Sequence, residues 1–154
     1  MLVHVLEFMN VLSAGVLAGE EFVIRYGVRA PVASLDQRPH LLLRQALIRS
    51  LRILVPAVFG LTILSGIAAT ILGGLGLGLE LRCAGLLALL VFFSITLGGT
   101  VPINQAILTW DVAAPPNDWQ TLVRRWERLD TARTWAAISA FCLFLAAVVA
   151  QSSN

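Results

Sequence analysis

The chain has 154 residues, of which 58% are hydrophobic and only 13% are charged. Soluble domains carry about 25% charged residues, so this composition excludes an ordinary soluble protein. The length and the apolar content predict a single integral membrane domain over residues 1–154.

Four apolar segments are long enough to cross a hydrocarbon core, which takes about 20 residues. They must be helices in lipid, because every backbone polar group needs a partner within its own segment. The second is predicted to begin near Pro39, and its length to Leu72 of about 51 Å lets its first turns project beyond the membrane. The predicted spans are about 2–24, about 39–72, about 80–108 and about 131–150.

A different pattern fills the segment between the third and fourth spans. Pro115 and Pro116 break the chain, and apolar residues then recur at spacings of three and four from Trp119 to Leu129. This pattern predicts an amphipathic helix over about 118–129 that lies in the interface plane. The predicted fold is therefore an all-α membrane protein, an up-down bundle of four transmembrane helices with a cytoplasmic-side amphipathic helix between helices 3 and 4.

The arginines give the bundle a direction. Ten of the 11 basic residues lie at 25–52 and 124–133, and only Arg82 lies elsewhere. Because basic residues concentrate in cytoplasmic loops, loops 1 and 3 are predicted to be cytoplasmic and both termini extracytoplasmic. We expect a multi-pass protein of the cell inner (cytoplasmic) membrane. The end of the bundle that carries the ten arginines is called the Arg-rich end below.

Polar residues of all four predicted helices lie at this same end. Ionisable groups inside a membrane cost about 2.5–3.5 kcal/mol each, so they are expected to pair around a polar pocket. Glu21 is predicted to pair with Arg49 or Arg52. The alternative is that charged residues only orient the helices and reach the headgroups. We expect that behaviour for Glu7 at the opposite end and for Arg29, Arg44, Arg124, Arg125 and Arg128 at the Arg-rich end.

Three further features bear on partners and cofactors. Gly15 and Gly19 form a G-x-x-x-G pair that indicates a possible homodimer, although Gly is also common in membrane helices. His4 and His40 lie at opposite ends, and no metal-binding spacing is present, so the sequence names no cofactor and leaves a metal or haem open. The expected partners are the lipid bilayer and a lipophilic small molecule, with no nucleic acid.

Several blocks resemble a known family of small four-helix membrane proteins that includes the fungal anthrone oxygenases. The blocks are Gly19-Glu20-Glu21-Phe22, Arg38-Pro39-His40, Val101-Pro102-Ile103-Asn104 and the stretch from Asp118-Trp119 to Arg133-Thr134-Trp135. The resemblance implies a buried polar pocket. It also implies oxygenation of an electron-rich polycyclic phenol to a quinone without an obvious organic cofactor. Such chemistry needs a base for the acidic proton and a donor for the enolate.

The resemblance implies Glu21 or His40 as the base. It also implies Arg49, Asn104 and Arg133 as residues that hold the oxyanion; the other candidates are polar or aromatic residues of the Arg-rich end. The catalytic candidates are Glu21, His40 and Asn104. The substrate-binding candidates are Gln45, Arg49, Arg52, Trp110, Asp130 and Arg133. Several members of the family carry His where this chain has Asp130, so a base supplied by that His would be absent here.

The function expected from these residues is that of a membrane-embedded oxidoreductase or oxygenase. It would act on a lipophilic anthrone- or quinone-like substrate in a polar pocket at the cytoplasmic ends of the helices. Two other functions remain open at the level of sequence. One is a small-molecule or proton-linked binding or transport module, and the other is a non-catalytic structural membrane protein.

Overall fold

Four long helices make up the architecture, and each is long and apolar enough to cross a membrane. The computed structural model describes residues 1–152, so Ser153 and Asn154, the end of the predicted domain, lie outside the described residues. Within residues 1–152 all regular structure is helical, which confirms the predicted all-α four-helix bundle. The spans are Leu2–Ala33, Gln37–Leu72, Leu77–Thr109 and Trp119–Gln151.

The first span extends beyond its predicted end near residue 24. Helix α1 (Leu2–Val23) continues through a π-helical segment, Ile24–Val28, into α2 (Arg29–Ala33). The extra turns are held against the bundle by side chains of the fourth span. Arg25 donates to the Thr131 hydroxyl, and Arg29 Nη2 lies 2.7 Å from Glu127 Oε2. These long-range contacts are not visible in the apolar pattern of the first span.

The second and third spans are separated by only a short hairpin. The second is one helix, α3 (Gln37–Leu72), which begins directly after Asp36. In the third, α4 (Leu77–Ile95) passes through a second π-helical segment, Thr96–Thr100, into α5 (Val101–Thr109). At about 1.5 Å per residue, α3 is about 54 Å long, well beyond the roughly 30 Å of a hydrocarbon core.

The predicted amphipathic helix in the interface plane is wrong as a separate element. Its residues are the first turns of one continuous helix, α6 (Trp119–Ser152), which also forms the fourth span. No Gly or Pro interrupts this stretch, so the helix has no reason to break. Its start packs inward, because Val123 and Asp130 are buried and Glu127 pairs with Arg29 of the first span.

Packing between the spans forms a simple ring. The first span packs against the second and the fourth, and the third packs mainly against the fourth and more sparsely against the second. Small residues let the backbones approach closely in the central core, as expected where helices associate in lipid. That core consists of Ala14, Leu17, Ala18, Leu89, Phe92, Ala137, Ala140 and Phe144.

One buried glycine that packs against this core provides a test of the packing. A Cβ at Gly85 would lie 2.7 Å from Cε1 of the Phe144 ring, whereas a Cβ at Gly60 would meet nothing within 4 Å. Overpacking costs about 1–3 kcal/mol. We therefore expect Gly85→Ala to lower the temperature of thermal unfolding in detergent, measured by circular dichroism. Gly60→Ala is the matched control and should leave that temperature unchanged or raise it, and a Gly85→Ala protein as stable as the wild type would refute this packing.

The end of the bundle opposite the Arg-rich end contains a buried ion pair. The prediction that Glu7 faces the outer headgroups is wrong, because Glu7 is only 5% exposed. Arg82 Nη1 lies 3.2 Å from Glu7 Oε1, and Arg82 Nη2 donates to the Gly74 carbonyl at 2.8 Å. Arg82 is placed for this contact one turn into α4, directly after the glycine-rich hairpin. Arg82, the one arginine outside the Arg-rich end, thus joins the first span to the third and to the hairpin at this end of the bundle.

The predicted dimer face is partly used inside the chain. A Cβ at Gly15 would lie 3.2 Å from the Phe141 ring of the fourth span, whereas one at Gly19 would meet nothing within 4 Å. Large apolar side chains are exposed along all four spans, which is compatible with contact to a lipid bilayer. Gly15 therefore has a packing role within the monomer.

Candidate functional site

A cavity of about 410 Å³ lies at the Arg-rich end and is lined by residues of all four spans. Its walls are largely apolar, with Val28, Leu51, Val55 and Leu108 among the lining residues. Polar lining residues come from all four spans, including Arg44 and Arg52 of the second. A mostly apolar cleft with a few converging polar groups is typical of small-molecule sites.

A buried ion pair forms the polar centre of the cavity. Glu21 of the first span is 1% exposed, and its carboxylate accepts a hydrogen bond from Arg133 Nη2 of the fourth span. Arg133 Nη1 donates to the Thr100 hydroxyl of the third span at 3.0 Å, and its guanidinium lies 4.9 Å from the centre of the Phe92 ring. One arginine therefore joins three spans and fixes the position of the acid.

The predicted pairing of Glu21 with Arg49 or Arg52 is wrong. Arg49 lies on an exposed face of α3 and donates to Gln45 Oε1 at 3.3 Å, and Arg52 is an exposed residue at the rim of the cavity. The reason is the face of the helix on which each arginine lies. Both the second and the fourth span pack beside the first, but Arg49 and Arg52 are exposed on α3, whereas Arg133 is 8% exposed and faces the carboxylate.

Four buried oxygen atoms around the cavity have no hydrogen-bond partner within residues 1–152. They are Glu20 Oε2, Glu21 Oε2, Asn104 Oδ1 and Asp130 Oδ2, and all four residues line the cavity. Buried polar atoms in proteins are nearly always hydrogen-bonded, so a group of exceptions at one cavity is informative. Three buried donors of lining residues, Arg44 Nε, Trp126 Nε1 and Arg133 Nε, also have no partner among the described residues. A ligand that satisfies both sets would carry donors and acceptors, as a hydroxyl group does.

Two arginines of the cavity wall are held by a neighbouring network. Arg44 is 8% exposed, and its guanidinium lies 4.8 Å from the centre of the Trp126 ring and 3.9 Å from Glu127. Arg29 binds the same Glu127 carboxylate. The expectation that Arg29 and Arg44 simply reach the headgroups is wrong, since both line the cavity. Their ion pairs with Glu127 hold both guanidinium groups against the bundle.

Five of the nine predicted site residues line this cavity, and four lie elsewhere. His40 is buried, with its ring 5.3 Å from that of Trp119. Gln45 Nε2 donates to the carbonyls of Ile107 and Trp110 at 2.9 and 3.1 Å. These contacts join α3 to its neighbours beyond the cavity. The residues that line it are Glu21, Arg52, Asn104, Asp130 and Arg133; those that do not are His40, Gln45, Arg49 and Trp110.

Sequence reasoning missed Glu20, Thr100 and Trp126 as lining residues. Adjacent residues on a helix point about 100° apart, which argues against a joint role for Glu20 and Glu21, yet both line the cavity. Thr100 carries no signal in the sequence, since its place depends on the π-helical segment that ends with it. Residues of both π-helical segments border the cavity, and such segments occur frequently at functional sites.

The fold and this site define a small multi-pass membrane protein with a polar, ligand-sized cavity at one end of a four-helix bundle. The model of a family described as anthrone oxygenase matches residues 45–143, more than half of the chain. The chain therefore belongs to the anthrone oxygenase family, as the resemblance indicated. The matched region includes Asn104, Asp130 and Arg133 but begins after Glu21. No curated protein and no solved structure matches the chain.

Proposed function

We propose that the protein is a membrane-embedded oxygenase that oxidises a lipophilic, anthrone-like aromatic substrate in the cavity at the Arg-rich end. The observation that carries the proposal is the buried Glu21–Arg133–Thr100 cluster at a cavity with unpartnered acceptor oxygens. Membership of the anthrone oxygenase family supports the same reaction class.

In this proposal Glu21 is the general base. Its Oε2 has no partner among the described residues, while its other oxygen is held by Arg133. A fixed carboxylate with one free oxygen suits removal of the acidic proton of a methylene flanked by aromatic rings. His40, the other candidate base, lies outside the cavity lining and has no part in this step.

Asn104 and Arg133 stabilise the enolate left by that step. Both line the cavity, and an amide N–H or guanidinium N–H is a suitable donor to a developing oxyanion. Dioxygen is the oxidant: the methylene carbon loses two hydrogens and becomes a carbonyl, one oxygen atom enters the product and the other leaves as water. Glu20 and Asp130 lie beside Glu21 as further carboxyl groups that can take up the transferred proton.

The same acceptor oxygens favour a hydroxylated substrate. Phenolic hydroxyls would donate to Asn104 Oδ1 and Asp130 Oδ2, which otherwise stay unsatisfied in a buried site. We further infer that the Arg-rich end faces the cytoplasm and both termini the opposite side of the inner membrane, in keeping with the distribution of arginine. A transport function is less well supported, because the apolar core around Leu17, Phe92 and Phe144 fills the bundle between the cavity and the opposite end.

Oxygen uptake by the purified protein tests the proposal. With anthrone-type substrates the wild type should consume oxygen, and Glu21→Gln should reduce the rate about 10²–10⁴-fold because a general base is lost. Glu80→Gln, at an exposed site in the first turn of α4, is the matched control and should retain the wild-type rate. Absence of uptake by the wild type, or full uptake by Glu21→Gln, would overturn the assignment.

A further inference from the structure

Two contacts between the second and third spans lie at different levels, one on each side of the cavity. At one level Gln45 Nε2 donates to the Ile107 carbonyl at 2.9 Å. At the other the Phe59 ring stacks on Phe92 and Phe93, with ring centres 5.6 and 5.4 Å apart. Gln45 and Phe59 are about 21 Å apart along α3 by helical rise. The two spans pack sparsely as a whole, and between these levels residues 47–56 of the second and 96–105 of the third include lining residues of the cavity, so that the cavity occupies the gap between them.

The exposure of the lining residues shows where the cavity opens. Arg52 and Pro56 of the second span and Gln105 of the third line the cavity and are exposed on the surface of the bundle. Glu21 of the first span and Asp130 of the fourth line the same cavity but are each 1% exposed. All the lining residues that are exposed on the surface thus belong to the second and third spans, which places the widest opening of the cavity sideways between these two spans.

The depth of this side opening places it at the edge of the hydrocarbon region. Counting about 20 residues for the hydrocarbon core back from Leu72, the last residue of α3, reaches Ile53. Ile53 and Leu54 are 71% and 53% exposed, as suits lipid-facing positions. Arg52 then lies at the headgroup level, where a guanidinium can reach water, and Val55 and Pro56 lie among the acyl chains.

We propose that the gap between the second and third spans is a lateral portal through which an amphiphilic aromatic ligand enters the cavity directly from the bilayer. Its rings pass Val55 and Pro56, and its polar groups pass Arg52 and Gln105. Pro56 removes one backbone hydrogen bond from α3 at the wall of the portal, which makes that wall easier to bend. The ligand's identity rests on the proposed oxygenase function, whereas the portal rests on geometry alone.

Thiol labelling of the cavity tests the portal without any need for turnover. The background is a Cys83→Ser/Cys142→Ser protein, since both native cysteines are free and exposed. Thr96→Cys then places one thiol in the cavity wall. In proteoliposomes, a lipid-soluble pyrene maleimide should label this thiol about tenfold faster than a membrane-impermeant sulfonated maleimide.

Two variants block the portal from opposite walls. Val55→Trp and Gln105→Trp should each slow pyrene maleimide labelling about tenfold. Val91→Trp, on a lipid-exposed face of the third span away from the cavity, should not slow it. The portal proposal would be overturned if a blocking variant that folds is labelled at the unblocked rate. It would also be overturned if the impermeant reagent labels the thiol faster than pyrene maleimide does. Labelling as expected in a protein that consumes no oxygen would refute the oxygenase and leave the portal standing.

Discussion

Arg133→Met should cost the protein both stability and activity. Removing one partner of a buried ion pair leaves an uncompensated charge and costs about 3–5 kcal/mol. Here the stranded group would be Glu21, which is 1% exposed. Thr100 would also lose the donor that lies 3.0 Å from its hydroxyl. We expect a much lower unfolding temperature in detergent and little or no oxygen uptake.

The double variant Glu21→Gln/Arg133→Met separates the two losses. Because it removes both charges, most of the stability should return, whereas activity should stay absent because the base and the enolate donor are both gone. A double variant as unstable as Arg133→Met alone would show that the arginine stabilises the bundle by packing on Phe92 rather than by pairing with Glu21. Recovery of activity in the double variant would contradict the assigned roles.

Arg82→Met should destabilise the end of the bundle opposite the Arg-rich end by a similar amount without lowering the rate of oxygen uptake. Glu7 would lose a partner at 3.2 Å, and the Gly74 carbonyl would lose its donor at 2.8 Å, for a cost of about 3–5 kcal/mol. Below its unfolding temperature, however, the variant should take up oxygen at the wild-type rate, because Glu7 and Arg82 do not line the cavity.

Glu7→Gln/Arg82→Met is the matched control for this end. It should recover most of the unfolding temperature, since neither charge is then stranded. Thermal unfolding and oxygen uptake are measured on the same samples. A folded Arg82→Met protein with the activity of Arg133→Met would show that the two ion pairs are coupled and that the hairpin end takes part in the site.

The number of spans and the depth of the polar layer can be predicted from the sequence, because both depend on hydropathy and helical rise alone. The sequence places Glu21, Asn104 and Arg133 at one level, and in the structure all three line one cavity. The predicted ion-pair partners are wrong because pairing depends on which face of each helix turns toward the acid: Arg49 and Arg52 are exposed on a helix that packs beside that of Glu21, whereas Arg133 is buried. Charge patterns do not encode that rotation, and Arg133 reaches Glu21 across 112 positions of sequence.

Local breaks in helical geometry are the second limit of sequence reasoning. The π-helical segments Ile24–Val28 and Thr96–Thr100 rotate the helical turns beyond them, and no pattern in the apolar residues marks them. The sequence gives no sign of Thr100 for that reason. The predicted placement of Glu7 is wrong for a different reason: its partner, Arg82, lies in a different span. The resemblance implies a catalytic role for His40, yet its ring packs on Trp119 and it does not line the cavity.

Oxygen-isotope transfer tests the central claim most directly. The wild type, given an anthrone-type substrate under ¹⁸O₂, should form a product whose new carbonyl carries ¹⁸O, and the Glu21→Gln protein should form it only at the rate of the protein-free reaction. A product that acquires its oxygen from water, or equal ¹⁸O incorporation by wild type and Glu21→Gln, would contradict an oxygenase centred on this cavity.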